Sequence, residues 1–303
     1  REVQALAAGH PGDSGIHPLE NPLDAFAARV VLARAADRSL DVQYYIWHAD
    51  ITGYLLFEEL WNAAARGVRV RLLVDDNGVR DLDPTLATLD AHPNIEVRLF
   101  NPFPGRKARA LGYLTDFDRL NRRMHNKSFT ADNQATIVGG RNIGDEYFAA
   151  GNVVTFADLD VVALGPAAAD VSRAFDLYWN SESAYPADRI LARPEPGGAD
   201  ALQAKFAAVR AAPEAAGYSR AVARSRLIDD LVARRLEIDW APAHLVFDDP
   251  AKGLGKAEET TLLLTRLGRI LGSPQRQLDL VSPYFVPGKA GTETFARYAQ
   301  DGV

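Results

Sequence analysis

Residues 40–78 read LDVQYYIWHADITGYLLFEELWNAAARGVRVRLLVDDNG. Residues 40–47 are rich in aromatic and β-branched side chains, which suits a strand, and residues 53–66 space their apolar side chains as a helix that Gly67 ends. Val68, Val70, Leu72 and Val74 then alternate with Arg69 and Arg71 until Asp75-Asp76-Asn77-Gly78 turns the chain. Strand, helix and strand in that order make a βαβ unit. Upstream, residues 22–37 place Leu23, Phe26, Ala27, Val30 and Ala33 on one helical face; downstream, a short helix over 85–91 and a strand over 95–99 extend the series. The expected class is α/β, a layered sandwich around a largely buried sheet.

The chain has 303 residues, 47% hydrophobic and 24% charged, enough for one large or two ordinary domains. Its 34 basic and 40 acidic side chains leave a formal charge of −6, which disfavours a general nucleic-acid coat. No cysteine is present, which excludes thiolate nucleophiles, disulfides and zinc–thiolate sites. No apolar run is long enough to span a bilayer, and Arg1-Glu2-Val3-Gln4 has no signal-peptide character. The first residue is not methionine, so a preceding targeting segment is left open.

Arg38-Ser39-Leu40-Asp41-Val42 followed by Tyr44-Tyr45-Ile46-Trp47 is echoed by Arg276-Gln277-Leu278-Asp279-Leu280 followed by Pro283-Tyr284-Phe285-Val286. Arg66-Gly67-Val68 is echoed by Asp301-Gly302-Val303, at an offset of about 235 residues. The echo predicts an internal duplication whose second copy is cut off as its second strand begins. The expected organisation is a first half over 17–186, a helical connector over 187–240 and the start of a second half over 241–303. Residues 184–200 read as a Pro- and Gly-rich boundary loop, and 201–236 as helix interrupted at Pro213 and Gly217.

The chemistry-bearing stretch is 124–142, MHNKSFTADNQATIVGGRN, with the spacing His-x-Lys-x4-Asp-x6-Gly-Gly-x-Asn. With six histidines in the chain, its first three positions match by accident about 0.02 times. On an extended strand His125 and Lys127 project from one face and meet one ligand. Asp132 falls in a polar turn over 131–134 between two apolar strands and is expected to hold that turn. Gly139 and Gly140 would let backbone amides approach an anion, with Asn142 adding a donor, which makes a phosphate seat.

A neutral imidazole attacks phosphorus and an ammonium group neutralises a non-bridging oxygen, so the chemistry calls for no metal and no cofactor. It does call for a general acid at the departing alkoxide, hence a second histidine, which a duplicated chain would supply. The plain alternative is a solvated strand with a capping aspartate.

These residues resemble the HKD motif of the phospholipase D superfamily. Residues 139–148, with 40–47 and 94–102, resemble bacterial cardiolipin synthases of the C type, and the similarity covers about 17–186 and resumes at Leu278. The resemblance implies two similar α/β halves sharing one site, with His125 as one of two catalytic histidines, Lys127 and Asn142 as phosphate ligands and Asp132 as the motif's third member. Gly140 stands where many relatives carry serine. A carboxylate on a following strand is implied to orient the histidine; Asp158 and Asp160, on one face of a strand over 156–162, are the candidates, Asp158 first. No second His-x-Lys-x4-Asp occurs in residues 1–303, and His244 has no lysine two ahead.

The implied activity is phosphatidyl transfer that makes cardiolipin through a phosphohistidine on His125 or on its partner histidine. The implied partners are anionic phospholipids at the bacterial cytoplasmic membrane, where the protein would sit peripherally, and a missing C-terminal half that completes the site; no nucleic acid is expected. Water as acceptor would make the activity a phospholipase D, and a DNA phosphodiester would make it a metal-independent nuclease. A protein ending at Val303 would be a non-catalytic lipid-binding module.

Arg106, Lys107 and Arg109 precede Leu111, Tyr113, Leu114, Phe117 and Leu120, with Arg119, Arg122 and Arg123 behind. They read either as a basic amphipathic helix on anionic lipid or as a helix packed over the sheet. His48 and Asp75-Asp76 lie at strand ends, where α/β sites form and where turns also favour them.

Overall fold

The expected βαβ series is present in the computed structural model, which describes residues 2–104, 106, 117–151, 153–282 and 287–303. Its sheet has nine strands: β1 (Ser14–Leu19), β2 (Ser39–Ile46), β3 (Arg69–Gly78), β4 (Ile95–Phe100), β5 (Ser128–Ala131), β6 (Ala135–Gly139), β7 (Asp160–Leu164), β8 (Ala184–Pro186) and β9 (Asp239–Ala241). They run in the order β8-β4-β3-β2-β5-β6-β7-β1-β9. Val42 pairs with Leu72, and Leu72 with Val97, in parallel register, while the other neighbours are antiparallel.

Among the described residues the helices of seven or more residues are α1 (Glu2–Ala8), α2 (Pro22–Ala35), α3 (Ile51–Ala65), α4 (Asp83–Asp90), α5 (Pro166–Trp179), α6 (Gly198–Ala211), α7 (Pro213–Val222), α8 (Arg226–Val232), α9 (Leu263–Leu271) and α10 (Gly288–Gln300). Helix α3 begins before residue 53 because Asp50 caps it, its side chain accepting from Gly53 N at 2.9 Å. Gly67, at φ 95°, ends the helix.

Alternation along the central strands divides the core. Leu40, Val42, Tyr44, Val70, Leu72 and Val74 join one buried cluster with α2, α3 and α4, and Phe206 and Tyr218 of the connector helices enter the same cluster. On the opposite face Leu73 packs with Phe175, Tyr178 and Trp179 of α5. Arg71 is held there by Asp41 at 2.7 Å and Asp176 at 2.8 Å, with its guanidinium 4.7 Å from the Phe175 ring. A buried polar knot ties the layers together: Arg29 donates to Asp160 and to the Tyr44 hydroxyl, both at 2.8 Å, and Arg141 lies 3.6 Å from Asp160. Desolvation of these charges is compensated only while every partner stays in place.

Several expectations are corrected. Residues 184–186 form edge strand β8 on β4 instead of a loop, and β1 and β9, which no sequence pattern announced, extend the far edge. Gly217 does not interrupt α7, because Ala215, Tyr218 and Val222 bury one continuous face around it. The strand expected over 156–162 begins only at Asp160, where its pairing with Gly139 starts.

Residues 278–282 form no strand, and Val281 is 74% exposed. An apolar strand needs ladder partners, and among the described residues none pairs with it. Pro283-Tyr284-Phe285-Val286 lie outside the described residues, as do Lys107, Arg109, Leu111, Tyr113 and Leu114 of the basic stretch; its described end, Leu120 and Arg123, is buried.

Candidate active site

His125 and Lys127 stand in an extended run just ahead of β5, and the run is pinned from below. Asp75, fully buried at the end of the β3 core, accepts from Met124 N at 3.0 Å, Arg123 Nη1 at 3.2 Å and Asn77 N at 2.9 Å. Arg123 also donates to the carbonyls of Leu120 and Asn101 and lies 4.4 Å from the Phe103 ring. Burial pushes the Asp75 carboxyl up to about 6 against the opposing pull of Arg123.

This anchoring places the Arg123 carbonyl 3.0 Å from His125 Nδ1. A carbonyl only accepts, so Nδ1 carries the proton and the Nε2 lone pair is left free. The imidazole stacks on Tyr45, ring centroids 4.3 Å apart. Partial desolvation, reinforced by Lys127 and Lys252, holds its pKa below the ordinary 6.5 and so favours the neutral ring. Lys127 Nζ donates to His125 O at 2.7 Å, and burial lowers its pKa against the attraction of Asp158 and Asp160.

Both groups line one open cleft of about 440 Å³, floored by Gln43, Ser128 and Gly139 and walled by Tyr178, Phe247 and Lys252. Tyr178 Oη donates to Asp248 O at 2.8 Å, fixing the chain after β9 against α5. Tyr45, Tyr178 and the 245–253 wall carried no local sequence signal. Asp75 did, as a carboxylate at the C-terminal end of a parallel strand.

The remaining expected residues serve other tasks. Asp132 sits at the opposite tip of the β5–β6 hairpin, roughly 15 Å from Lys127 along the strand. Asp132 and Asn133 take φ of 53° and 58°, and the Asp132 carboxylate accepts from the amides of Asp37, Arg38 and Ser39. It secures the entry to β2 as well as its own turn and stands apart from His125 and Lys127.

Gly139 and Gly140 are glycine because β7 and its approach pass directly over them. An added Cβ would meet Asp160 Oδ1 at 2.2 Å and Asp158 Oδ1 at 1.8 Å respectively. The amides of Gly140 and Arg141 are engaged by Leu159 O and Asp160 Oδ1, both at 3.1 Å, so neither is free to hold an anion. Asn142 is likewise engaged at both ends: its Oδ1 accepts from Ile46 N and its Nδ2 donates to Tyr147 Oη, each at 3.1 Å.

Asp158 faces Lys127 and Arg141, and its carboxyl is raised chiefly by burial. The Arg123 carbonyl holds the histidine nitrogen that Asp158 was expected to orient. Away from the cleft, His48, Asp50 and Glu146 bring one donor atom each within 4.8 Å of the others, but both Asp50 oxygens already accept hydrogen bonds, from Gly53 N and Asp145 N.

Residues 30–179 match the family model described as cardiolipin synthase, PLD-like domain. Over 301 residues the chain is 52% identical to cardiolipin synthase C of Escherichia coli (strain K12), covering 99% of this chain and 63% of that protein. It is 32% identical over 301 residues to an uncharacterized protein of Helicobacter pylori (strain ATCC 700392 / 26695), covering 97% of this chain and 59% of that protein. The chain thus spans about three fifths of the length of these curated relatives. NucT from Helicobacter pylori aligns at a TM-score of 0.43 and 16% identity, over 57% of this chain and 98% of NucT. The chain is thus similar over residues 30–179 to the PLD-like domain of cardiolipin synthases, and over nearly its whole length to about three fifths of cardiolipin synthase C.

Proposed function

We propose that the chain carries the nucleophile half of a phosphatidyltransferase that makes cardiolipin, with His125 Nε2 attacking the phosphodiester of a phospholipid. The observation that carries this reading is the His125 Nδ1 contact with Arg123 O, beside the Lys127 ammonium group, at the mouth of a cleft. An N–P bond forms at Nε2 as the P–O bond to the headgroup alcohol breaks, and Lys127 neutralises charge gathering on a non-bridging oxygen. The departing alkoxide takes its proton from a general acid in a part of the longer protein beyond these residues. A hydroxyl of phosphatidylglycerol, giving its proton back to the general acid deprotonated in the first step, then attacks the phosphatidyl-histidine phosphorus, which breaks the N–P bond and releases cardiolipin and the neutral imidazole.

Lipid substrates place the protein peripherally at the bacterial cytoplasmic membrane in this reading. Among the described residues no helix is long and apolar enough to cross a membrane. The loop leading to Asp158 exposes Val153, Val154 and Phe156, with Val154 83% exposed, which supplies apolar contact beside the site.

The test is the lipid extract of cells whose only cardiolipin source is the full-length protein. His125→Ala abolishes cardiolipin; near-normal cardiolipin in that variant rejects the assignment. Phosphatidic acid in place of cardiolipin from the wild-type protein would make the activity a hydrolase.

A further inference from the structure

The floor of the cleft holds two polar side chains with nothing good to bond. Gln43 and Ser128 are direct partners across β2 and β5, so their side chains stand together on the α5 face of the sheet. Ser128 is 5% exposed, and its Oγ has no hydrogen-bond partner. Gln43 is 2% exposed, and its amide Nε2 points at the Met124 thioether at 2.9 Å, a weak acceptor. Buried donors left in this state are destabilising unless something else supplies an acceptor.

The same cleft is lined by the charged pair His125 and Lys127 and by the apolar Phe100, Val171, Phe247 and Leu263. A ligand that fits is charged at one end, has an oxygen acceptor a few bonds away and is apolar beyond it. The volume of about 440 Å³ suits the glycerol region of a phospholipid with the first carbons of an acyl chain, and not two whole chains.

We propose that Ser128 Oγ and Gln43 Nε2 form an ester-carbonyl subsite that grips the glycerol ester of the phospholipid whose phosphate lies at His125 and Lys127. The inference rests on reading those two residues as the phosphate end. No bond is made or broken at the subsite; it sets the depth and direction of the lipid so that phosphorus meets Nε2.

Calorimetric titration of the 303-residue chain with monomeric dihexanoylphosphatidylglycerol and with its dihexyl ether analogue, which lacks both carbonyls, tests the subsite. The wild-type chain is expected to bind the diester about fivefold more tightly than the diether, the worth of one net hydrogen bond. Ser128→Ala is expected to bring that ratio close to one. Equal affinities in the wild-type chain, no binding of the diester, or an undiminished ratio in Ser128→Ala overturns the proposal. The wild-type comparison stands without any variant. Lys127→Ala separates the two readings: it weakens both lipids if the phosphate end is correct. If it weakens neither while the diester preference persists, the phosphate reading fails and the subsite does not.

Discussion

Nδ1 of His125 faces a carbonyl, and that single contact sets the tautomer on which the proposed attack at phosphorus depends. The surroundings then keep the ring neutral: partial burial and nearby cations hold its pKa below 6.5. A nucleophile of lowered pKa is uncharged over a wider acid range, so the rate of attack starts to fall only at a pH below 6.5. In an NMR titration of the chain, His125 is expected to titrate below 6.5 and to move upward in Lys127→Met, because one of the charges depressing it is gone. A value at or above 6.5, or a downward move in the variant, contradicts this electrostatic account. The identity of the pair was legible in the sequence because two chemically active side chains stand two apart ahead of a strand. Their support was not, because Asp75 reaches Met124 only through the fold, 49 positions along the chain.

At the scale of elements, the β2-α3-β3 series could be read because strand alternation, helical spacing and a terminating Gly agree over 40–78, while the Asp50 cap that starts α3 two residues earlier was not read. The short strands β1, β8 and β9 at the two margins of the sheet could not, since their identity lies in partners such as Leu164, Leu99 and Gly15 rather than in their own composition. The β5–β6 hairpin shows how a motif mixes tasks. Its Lys127 end faces the cleft, while its Asp132 end ties three amides before β2. Asp132→Ala is therefore expected to lower unfolding stability by about 2 kcal/mol in urea titration. The purified full-length variant, assayed well below its melting temperature, is expected to keep activity within about threefold of wild type, the margin left to small shifts in site geometry. Loss of activity as complete as that of a His125 variant, with stability unchanged, would return Asp132 to the site.

Across the whole molecule, the sheet is covered on both faces, and the two coverings divide the work. The α2-α3-α4 side is core, and the α5 side, closed by residues 245–253, contains the cleft. The echo at residues 276–303 is visible as sequence and as a helix ending at Gly302 with φ 86°, matching Gly67 at φ 95°, but among the described residues 278–282 pair with no strand. A duplicated strand needs neighbouring strands before it becomes one, which a repeat in the sequence cannot reveal. The exposed Val153, Val154 and Phe156 lead in sequence to Asp158, whose charge acts on Lys127, and a lipid surface would meet this loop. In sedimentation with phosphatidylglycerol vesicles, Val154→Asp is expected to weaken association about tenfold, and unchanged partition would remove the loop from the membrane contact.

The central claim is that phosphorus becomes bonded to His125. Acid-sensitive adducts survive an alkaline quench, so full-length protein mixed with phosphatidylglycerol for milliseconds and digested at high pH can be mapped by mass spectrometry. The account predicts a phosphatidyl adduct on the peptide bearing His125, absent from His125→Ala. An adduct confined to another histidine, or turnover undiminished in the variant, contradicts it.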